Sequence, residues 1–375
     1  MGLDYIFTGF ENASPIDWYL DDSGVAHVSL IYDRERQSPN RAVLHWHFQL
    51  QASPGTDVTL LLKNFDNIWN GRPGSPILDE TSCAISEDGK AWTVVTGRKT
   101  AENFLKLKLR LGAGNLSVAR IEPYRLSDLQ AFISRISDHP LVGVAPIGQT
   151  VEGRPLEMLR IGREDAPYRL LLRARAHPWE TGGNWLLEGL IRRMMEEPPD
   201  FCLYAMPIAN KDGVARGRSR FNLMGKDLNR DWGRPADPKL APENAALESW
   251  LDHMREENRA PHLAIDLHND NSGKLHISRP EGDYTAYLSH METLEQALRD
   301  HTWFTEGSTG ATFRNPGSFG GGLLVRYGID ACILELNCHW SAGLNKAPLG
   351  ADWMWMGQQM HTAFSAYFGN RESSN

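Results

Sequence analysis

Cysteine is scarce in this chain, with only four among its 375 residues and none in a CxxC spacing. This number and spacing exclude a disulfide framework, and they predict reduced, mostly buried thiols in a cytoplasmic protein. No apolar run approaches the roughly 20 residues that span a bilayer. The first residues also lack the cationic and apolar segments of a secretory signal. We therefore expect no membrane partner.

Charge of one sign is also limited, because 47 acidic and 39 basic residues leave a formal net charge of −8. This balance argues against nucleic acid as a partner, since phosphate binding needs clustered lysine and arginine. The sequence lacks HExxH, GxSxG and GxxxxGK[ST], which excludes three common catalytic or phosphate-binding motifs. A hydrophobic content of 41% is nevertheless that of a globular protein.

Apolar and polar residues alternate in the first third of the chain, at residues 44–50, 58–62 and 105–111. A period of two is typical of strands with one buried face and one wet face. Turn-forming glycine and proline residues lie between these segments. The pattern predicts an N-terminal antiparallel β-sandwich domain over residues 1–124.

Continuous apolar strands alternate with helices beyond residue 124. We predict strands at residues 168–176, 201–207, 263–267 and 331–337, and helices at residues 185–195, 244–254, 284–298 and 354–368. Apolar strands of this kind are typical of covered, mostly parallel sheets. Residues 125–375 are therefore predicted to form an α/β domain, with a mixed, mostly parallel sheet and helices on both faces.

Three potential metal ligands follow predicted strands of this second domain. His177 and Glu180 stand three residues apart after one strand, and His268 follows another. Because α/β sheets carry their sites at the C-terminal ends of strands, these side chains can meet at one place. Two histidines and one glutamate form a known zinc set with an open fourth position. The alternative is that the histidines are ordinary surface or core residues and that Glu180 favours the start of the next helix.

Other charged residues also need a physical reason. Glu335 lies among apolar residues of a predicted core strand, which indicates either a structural ion pair or a catalytic carboxylate beside a metal. Asn229 and Arg230 together suit a planar carboxylate, and Arg220 suits charge that develops on a carbonyl oxygen. A solvated basic loop is the alternative interpretation of residues 216–230.

The order of these motifs resembles that of the zinc carboxypeptidases of the carboxypeptidase A superfamily. HxxE comes first, followed by the Asn–Arg pair, the strand histidine and the late glutamate. The segment EGRP at residues 152–155 resembles an early segment of the family. The cytosolic carboxypeptidases are the most similar branch, through AHP at residues 176–178, DGV at residues 212–214 and GKDLNR at residues 225–230.

The resemblance implies a zinc metallocarboxypeptidase that hydrolyses the C-terminal peptide bond of peptides or proteins through a zinc-activated water. It implies one zinc ion per chain as the cofactor and peptide or protein C-termini as the substrate. The residues that it implies are the zinc ligands His177, Glu180 and His268, the general base Glu335, Arg220 at the scissile carbonyl, and Asn229 and Arg230 at the substrate's terminal carboxylate.

One part of the family pattern has no match, because the tyrosine expected before the catalytic glutamate is absent from residues 305–326. This stretch is rich in glycine, so we expect it to be flexible or closely packed. Two other functions stay open. One is a zinc-dependent amidohydrolase that acts on small N-acyl amino acids or amides, and the other is a catalytically silent binding protein.

Overall fold

The computed structural model describes residues 2–372, which divide into two compact units. The first unit contains the chain up to Leu126 together with the short segments His177–Trp179 and Asp212–Asp227, and the second contains the remainder. The domain boundary expected at residue 124 stays a prediction. No helix among the described residues is long and apolar enough to cross a membrane.

The chain up to Leu126 is built from β-strands. They are β1 (Leu3–Phe7), β2 (Ile16–Leu20), β3 (Ala26–Leu30), β4 (Asp33–Arg34), β5 (Arg41–Ala42), β6 (His47–Ala52), β7 (Thr56–Lys63), β8 (Asn67–Trp69), β9 (Arg72–Gly74), β10 (Glu80–Ser86), β11 (Thr93–Lys99), β12 (Leu105–Leu111) and β13 (Asn115–Ala119). Nine strands form one sheet in the order β1-β6-β13-β10-β11-β12-β7-β3-β2. Its neighbouring strands are antiparallel except β3 and β7.

Alternating burial places the core of this unit. In β12, four leucines are buried and the basic residues between them are exposed. Leu107 of this strand shares one hydrophobic cluster with Val28 of β3, Leu50 of β6 and Leu60 of β7. The predicted all-β character of the region is therefore confirmed. The sandwich itself stays a prediction, because hydrogen bonds join all nine strands into one continuous sheet.

The second unit alternates strands and helices. Its strands are β14 (Val142–Gln149), β15 (Pro155–Ile161), β16 (Tyr168–Ala174), β17 (Phe201–Met206), β18 (Leu263–Asp270), β19 (Leu275–Ile277) and β20 (Asp330–Asn337). The helices that follow β13 are α1 (Leu126–Ile136), α2 (Gly182–Glu196), α3 (Lys211–Ala215), α4 (Pro242–Glu256), α5 (Thr285–His301), α6 (Phe319–Tyr327) and α7 (Gly350–Glu372). The seven strands form a sheet in the order β14-β15-β17-β16-β18-β20-β19.

This sheet is mixed, as predicted, with a parallel centre. Strands β17, β16, β18 and β20 pair in parallel. The pairs at the two edges, which involve β14, β15 and β19, are antiparallel. The expectation of a mostly parallel sheet therefore holds for the four central strands and not for the edges.

Helices cover both faces of the sheet. Residues of α4 and α6 share a hydrophobic cluster with Leu171 of β16. On the opposite face α2 lies so close that a Cβ on Gly183 would stand 3.1 Å from the Cβ of Ala174. A Cβ on Gly189 of α2 would stand 2.0 Å from the carbonyl oxygen of Met354 in α7. Glycine is therefore required for these two helices to pack together.

Two local expectations need correction. Strand β18 continues past residue 267, because Asp270 still pairs with Asn337 of β20, so His268 lies inside the strand and not after it. The glycine-rich stretch is also not entirely a loop, since α6 begins within it. A Cβ on Gly322 would stand 2.4 Å from the Cβ of Trp232, so this glycine serves close packing.

Candidate metal centre

His268 is held between two carboxylates in the second unit. Its ring lies in β18 and is almost completely buried. Nδ1 of His268 lies 2.7 Å from Oε2 of Glu180, and Nε2 lies 2.7 Å from Oδ2 of Asp266. Since Asp266 and His268 are two residues apart on one strand, the period of two directs both side chains to the same face.

His177 and Glu180 lie in the loop between the end of β16 and the start of α2. The loop turns at Arg175, which adopts a left-handed φ of 60° and donates from Nη1 to Oδ1 of Asn184 in α2 at 3.1 Å. The side chains of His177 and Glu180 are each about 3% exposed. Nε2 of His177 lies 3.1 Å from Oδ1 of Asp227.

The three predicted ligands come together. One donor atom from each of His177, Glu180 and His268 lies within 4.8 Å of the others, and all three residues are buried. Two imidazoles and a carboxylate match the donor set of catalytic zinc sites. In each histidine the other ring nitrogen faces a carboxylate, Asp227 or Asp266, which is the usual support of a metal-bound imidazole. The donor chemistry therefore fits a zinc ion.

A buried arginine supports Asp266. Nε of Arg173 donates to Oδ1 of Asp266 at 2.8 Å, and its Nη2 donates to Oδ2. Burial opposes ionisation of Asp266, but the charges of Arg173 and His268 outweigh it and hold the pKa of Asp266 well below its usual range. Burial likewise opposes protonation of His268, yet the charges of Asp266 and Glu180 raise its pKa well above the usual value. The metal-free protein therefore favours the protonated form of His268.

A second arginine supports Asp227 in the first unit. Nη2 and Nε of Arg220 lie 2.7 and 2.9 Å from Oδ2 of Asp227. The backbone N–H groups of Arg220 and Phe221 both donate to Oδ2 of Asp33 at 2.8 Å, and Nη1 of Arg218 donates to Oδ1 of Asp33 at 3.1 Å. The segment that carries Arg220 is therefore anchored through its backbone as well as its side chain.

Glu335 lies beside His268 in the sheet. The two residues are paired in register on the parallel strands β18 and β20, so their side chains leave the same face. Oε1 of Glu335 lies 3.9 Å from Nδ1 of His276. Burial lowers the pKa of His276 to about 4, so this contact is not an ion pair at neutral pH. Glu335 therefore shares a face of the sheet with His268.

Asn229 and Arg230 lie in the chain between α3 and α4. The side chain of Asn229 is buried, and its Oδ1 accepts a 2.9 Å hydrogen bond from the backbone N–H of Phe319 at the start of α6. Arg230 is half-buried, and its Nη1 donates to the carbonyl oxygen of Asn229 at 2.8 Å. The amide oxygen of Asn229 thus joins this loop to α6, while the guanidinium of Arg230 lies nearer to solvent.

Sequence reasoning missed three supporting residues. Arg173 and Asp266 are charged residues that are flanked on both sides by apolar residues of their strands, which is a signal that each needs a buried partner. Asp227 belongs to the GKDLNR segment, but only Asn229 and Arg230 of that segment were given roles. None of the three could be paired from the sequence, since Arg173 and Asp266 are 93 positions apart and His177 and Asp227 are 50 apart.

The fold is that of metallo-carboxypeptidases. A metallo-carboxypeptidase from Burkholderia cenocepacia superposes with a TM-score of 0.85 at 20% identity, over 99% of this chain and 100% of the other. A metallo-carboxypeptidase from Pseudomonas aeruginosa, in complex with (2-guanidinoethylmercapto)succinic acid, superposes with a TM-score of 0.80 at 22% identity, over 98% and 99% of the two chains. At these identities the likeness shows the fold alone, and the predicted α/β fold is confirmed.

Comparison of the sequence finds similar proteins. Residues 129–306 match the family model described as zinc carboxypeptidase. An uncharacterised protein from Zymomonas mobilis is 26% identical over 194 residues, which are 50% of this chain and 49% of that protein. Cytosolic carboxypeptidase 1 from Danio rerio is 33% identical over 112 residues, which are 28% of this chain and 10% of that protein. The chain thus spans at most about half the length of these relatives.

Proposed function

We propose that this chain is a zinc-dependent metallocarboxypeptidase that hydrolyses the C-terminal peptide bond of peptides or proteins. The observation that carries the proposal is the meeting of His177, Glu180 and His268 at one buried point. Glu335, which lies outside the residues matched by the family model, is paired in register with His268. A family domain, a complete donor set and an adjacent carboxylate together support hydrolysis better than passive binding.

In this proposal, different residues of the chain bind the metal ion, transfer the proton and orient the ligands. His177, Glu180 and His268 would hold the zinc ion, which when bound lowers the pKa of a coordinated water to about 7 and polarises a carbonyl. Glu335 accepts a proton from the attacking water and passes it to the leaving amine. Asp227 and Asp266 keep the two imidazoles in the orientation and tautomer that metal binding needs.

Two arginines act on the substrate in this proposal. The guanidinium of Arg220, anchored by Asp227, donates to the scissile carbonyl oxygen as negative charge develops there. Arg230, with Asn229 beside it, binds the terminal carboxylate, for which the planar guanidinium is well suited. A free C-terminus is therefore a requirement of the proposed substrate.

We also place the protein in the cytoplasm. Several relatives bear the name cytosolic carboxypeptidase. The four cysteines of this chain are all buried and form no disulfide, which agrees with a reducing compartment.

The test is mass spectrometry of a peptide pool incubated with the zinc-loaded protein. Half of the peptides have free C-termini and half are amidated, and the Glu335→Gln variant is the control. We expect single residues to be removed from free ends only, and we expect the variant to keep zinc while its kcat falls about 100- to 10,000-fold. Cleavage of amidated ends, or of N-acyl amino acids with all peptides intact, would replace this function with the amidohydrolase alternative.

A further inference from the structure

A cavity of about 240 Å³ lies in the first unit, on the outer face of its nine-stranded sheet. Phe48 and Leu50 of β6 belong to the hydrophobic core of this unit, whereas His47 and Gln49 line the cavity. Because side chains alternate along a strand, the core and the cavity lie on opposite faces of β6. The residues that line the cavity all belong to the chain up to Leu126, and they include none of the proposed metal ligands or substrate-binding residues.

Three neighbouring strands form the floor of the cavity. Gln49 of β6 pairs with Phe7 of β1 and with Ser117 of β13. Because directly paired residues project to the same face of a sheet, these three side chains form one row. His47 lies two positions before Gln49 and therefore shares this face. The floor thus combines one aromatic ring with three polar side chains.

Further aromatic rings surround this floor. The ring centre of Phe10 lies 5.8 Å from that of Phe7 and 4.9 Å from that of His47. The ring centre of Trp92 lies 5.9 Å from that of His47. The face of an antiparallel sheet that points away from the core is ordinarily polar, so this group of rings needs a reason. Rings in a cavity offer a site for one more ring, because aromatic pairs attract at centre separations of about 4.5 to 7 Å.

The hydrogen bonds around His47 determine which of its ring nitrogens carries the proton. Nδ2 of Asn12 donates to the carbonyl oxygen of Val214 at 3.0 Å, which leaves Oδ1 of Asn12 as an acceptor. This oxygen lies 3.2 Å from Nδ1 of His47, so Nδ1 is the donor. In a neutral ring Nε2 is then the unprotonated nitrogen, and it makes no hydrogen bond to any described residue. His47 is only 5% exposed, so a buried acceptor lines the cavity.

The surroundings of His47 keep its ring neutral. Burial, with smaller contributions from His45 and the charge of Arg125, lowers the pKa of His47 well below its ordinary value. The lone pair of Nε2 is therefore available to a hydrogen-bond donor at neutral pH. Arg125 also lines the cavity, and its positive charge disfavours a cationic ligand. The site thus suits an uncharged aromatic molecule that carries a hydrogen-bond donor.

We propose that this cavity binds a phenol, whose ring packs among Phe7, Phe10 and Trp92 and whose hydroxyl donates to Nε2 of His47. A phenol carries its O–H at the tip of the ring, so one molecule meets both the aromatic walls and the buried acceptor. The size agrees, because a cavity of about 150 Å³ already holds benzene, and this cavity is larger. A free phenol and the side chain of a tyrosine in a peptide share this chemistry, and the experiment distinguishes them.

The experiment compares p-cresol with toluene, which has the same ring and methyl group but no hydroxyl. Ligand-observed NMR in sealed tubes measures binding to the whole chain. We expect p-cresol to bind at least about tenfold more tightly, because toluene leaves the buried nitrogen without a partner. N-acetyltyrosinamide and N-acetylphenylalaninamide repeat the comparison for a peptide side chain. A preference within the first pair alone identifies a free phenol as the ligand, and a preference within both pairs shows that a tyrosine side chain also binds.

Two variants locate the binding. His47→Phe keeps a ring at the floor but removes the acceptor, so it should bind toluene at least as tightly as p-cresol. Trp92→Leu removes one aromatic wall and should weaken the binding of p-cresol about fivefold or more. Trp69→Leu is the matched control, because Trp69 is also a half-buried tryptophan of the first unit but does not line the cavity. We expect it to bind p-cresol as the wild type does, and thermal unfolding checks that each variant is folded.

NMR of protein labelled with nitrogen-15 at histidine observes the hydrogen bond itself. The Nε2 resonance of His47 is expected to be that of an unprotonated nitrogen. It should shift when p-cresol is added and stay in place when toluene is added. This measurement uses the wild type, so it decides the proposal even if His47→Phe fails to fold.

Several outcomes would overturn the proposed site. They are equal binding of p-cresol and toluene to the wild type, a preference that persists in His47→Phe, and an Nε2 resonance that p-cresol leaves unchanged. Weakening of p-cresol by Trp69→Leu as much as by Trp92→Leu would place the binding elsewhere. None of these measurements involves zinc or hydrolysis, so their result is independent of the proposed metallocarboxypeptidase activity.

Discussion

Two Arg–Asp–His triads support the candidate metal centre, and they differ in how deeply the arginine is buried. In the second unit Arg173 binds Asp266, whose other contact is Nε2 of His268 at 2.7 Å. In the first unit Arg220 binds Asp227, which contacts Nε2 of His177 at 3.1 Å. The side chain of Arg173 is 1% exposed, whereas that of Arg220 is 15% exposed.

Their surroundings explain the difference. The guanidinium of Arg173 lies 5.0 Å from the ring centre of Trp232 and 4.5 Å from that of Phe319, and it donates to the carbonyl oxygen of Leu228 at 3.3 Å. Its hydrogen-bonding capacity is therefore spent inside the protein. Arg220 is anchored to Asp227 but retains contact with solvent. The triad of Arg173 thus stabilises the fold. In the proposed function, the arginine of the other triad, Arg220, binds the substrate.

Loss of the histidine of either triad is expected to have the largest effect on zinc content and hydrolysis. His268→Ala removes a zinc ligand and should abolish both metal content and hydrolysis, and His177→Ala should do the same. Metal analysis after dialysis, together with a peptide assay, measures both properties. A His268→Ala protein that retains one equivalent of zinc would show that this residue is not a ligand.

Arg173→Met is expected to have the next largest effect, which is a loss of folding stability. Removal of one partner leaves Asp266 buried without its arginine, and breaking such a buried pair costs about 3 to 5 kcal/mol. Urea unfolding of the metal-free protein measures the change in the free energy of unfolding. Arg220→Met is the matched variant and should lose clearly less, because its ion pair is partly solvated. Equal losses of folding stability in the two variants would show that the two triads do not differ in their contribution to the fold.

Arg220→Met is expected to lower kcat by about 100- to 1,000-fold, because a donor to the developing oxyanion is lost. Zinc content should stay unchanged, since Asp227 can still contact His177. Steady-state kinetics and metal analysis on one preparation distinguish the two effects. If kcat were normal in this variant, Arg220 would be a structural residue like Arg173.

The smallest expected effect is the pH dependence of zinc binding. Burial opposes protonation of His268, but Asp266 and Glu180 together raise its pKa, so the metal-free protein holds a proton that zinc must displace. Affinity should therefore fall as the pH is lowered, by up to about tenfold per unit for one displaced proton. Calorimetry in buffers of different ionisation enthalpy counts that proton. Uptake of zinc without proton release would contradict the raised pKa.

The raised pKa of His268 also sets the direction in which the stability of the metal-free protein changes with pH. Since the pKa of His268 is raised in the folded protein, its contribution to the stability of the metal-free form is fully present below the ordinary histidine value of about 6.5. That contribution is lost as the pH rises through the raised value. Zinc removes the dependence by displacing the proton.

Local patterns in the sequence were sufficient for much of the fold. The alternation in residues 105–111 predicted the buried leucines of β12, because a period of two leaves a single face for the core. The continuous apolar runs predicted the central strands, because a strand that is covered on both faces is apolar throughout. The predicted end of β18 was wrong and α6 was not predicted, because pairing with β20 and packing against Trp232 decide these elements.

The sequence by itself determined the donor set of the candidate centre. His177 and Glu180 stand three residues apart after a strand, and imidazole and carboxylate groups are metal ligands in any fold. Only the tertiary structure decided which aspartate supports which histidine, and which arginine is enclosed. Those pairings join residues 50 and 93 positions apart. No local pattern encodes such a distance, because it is set by strand order and register in the folded sheets.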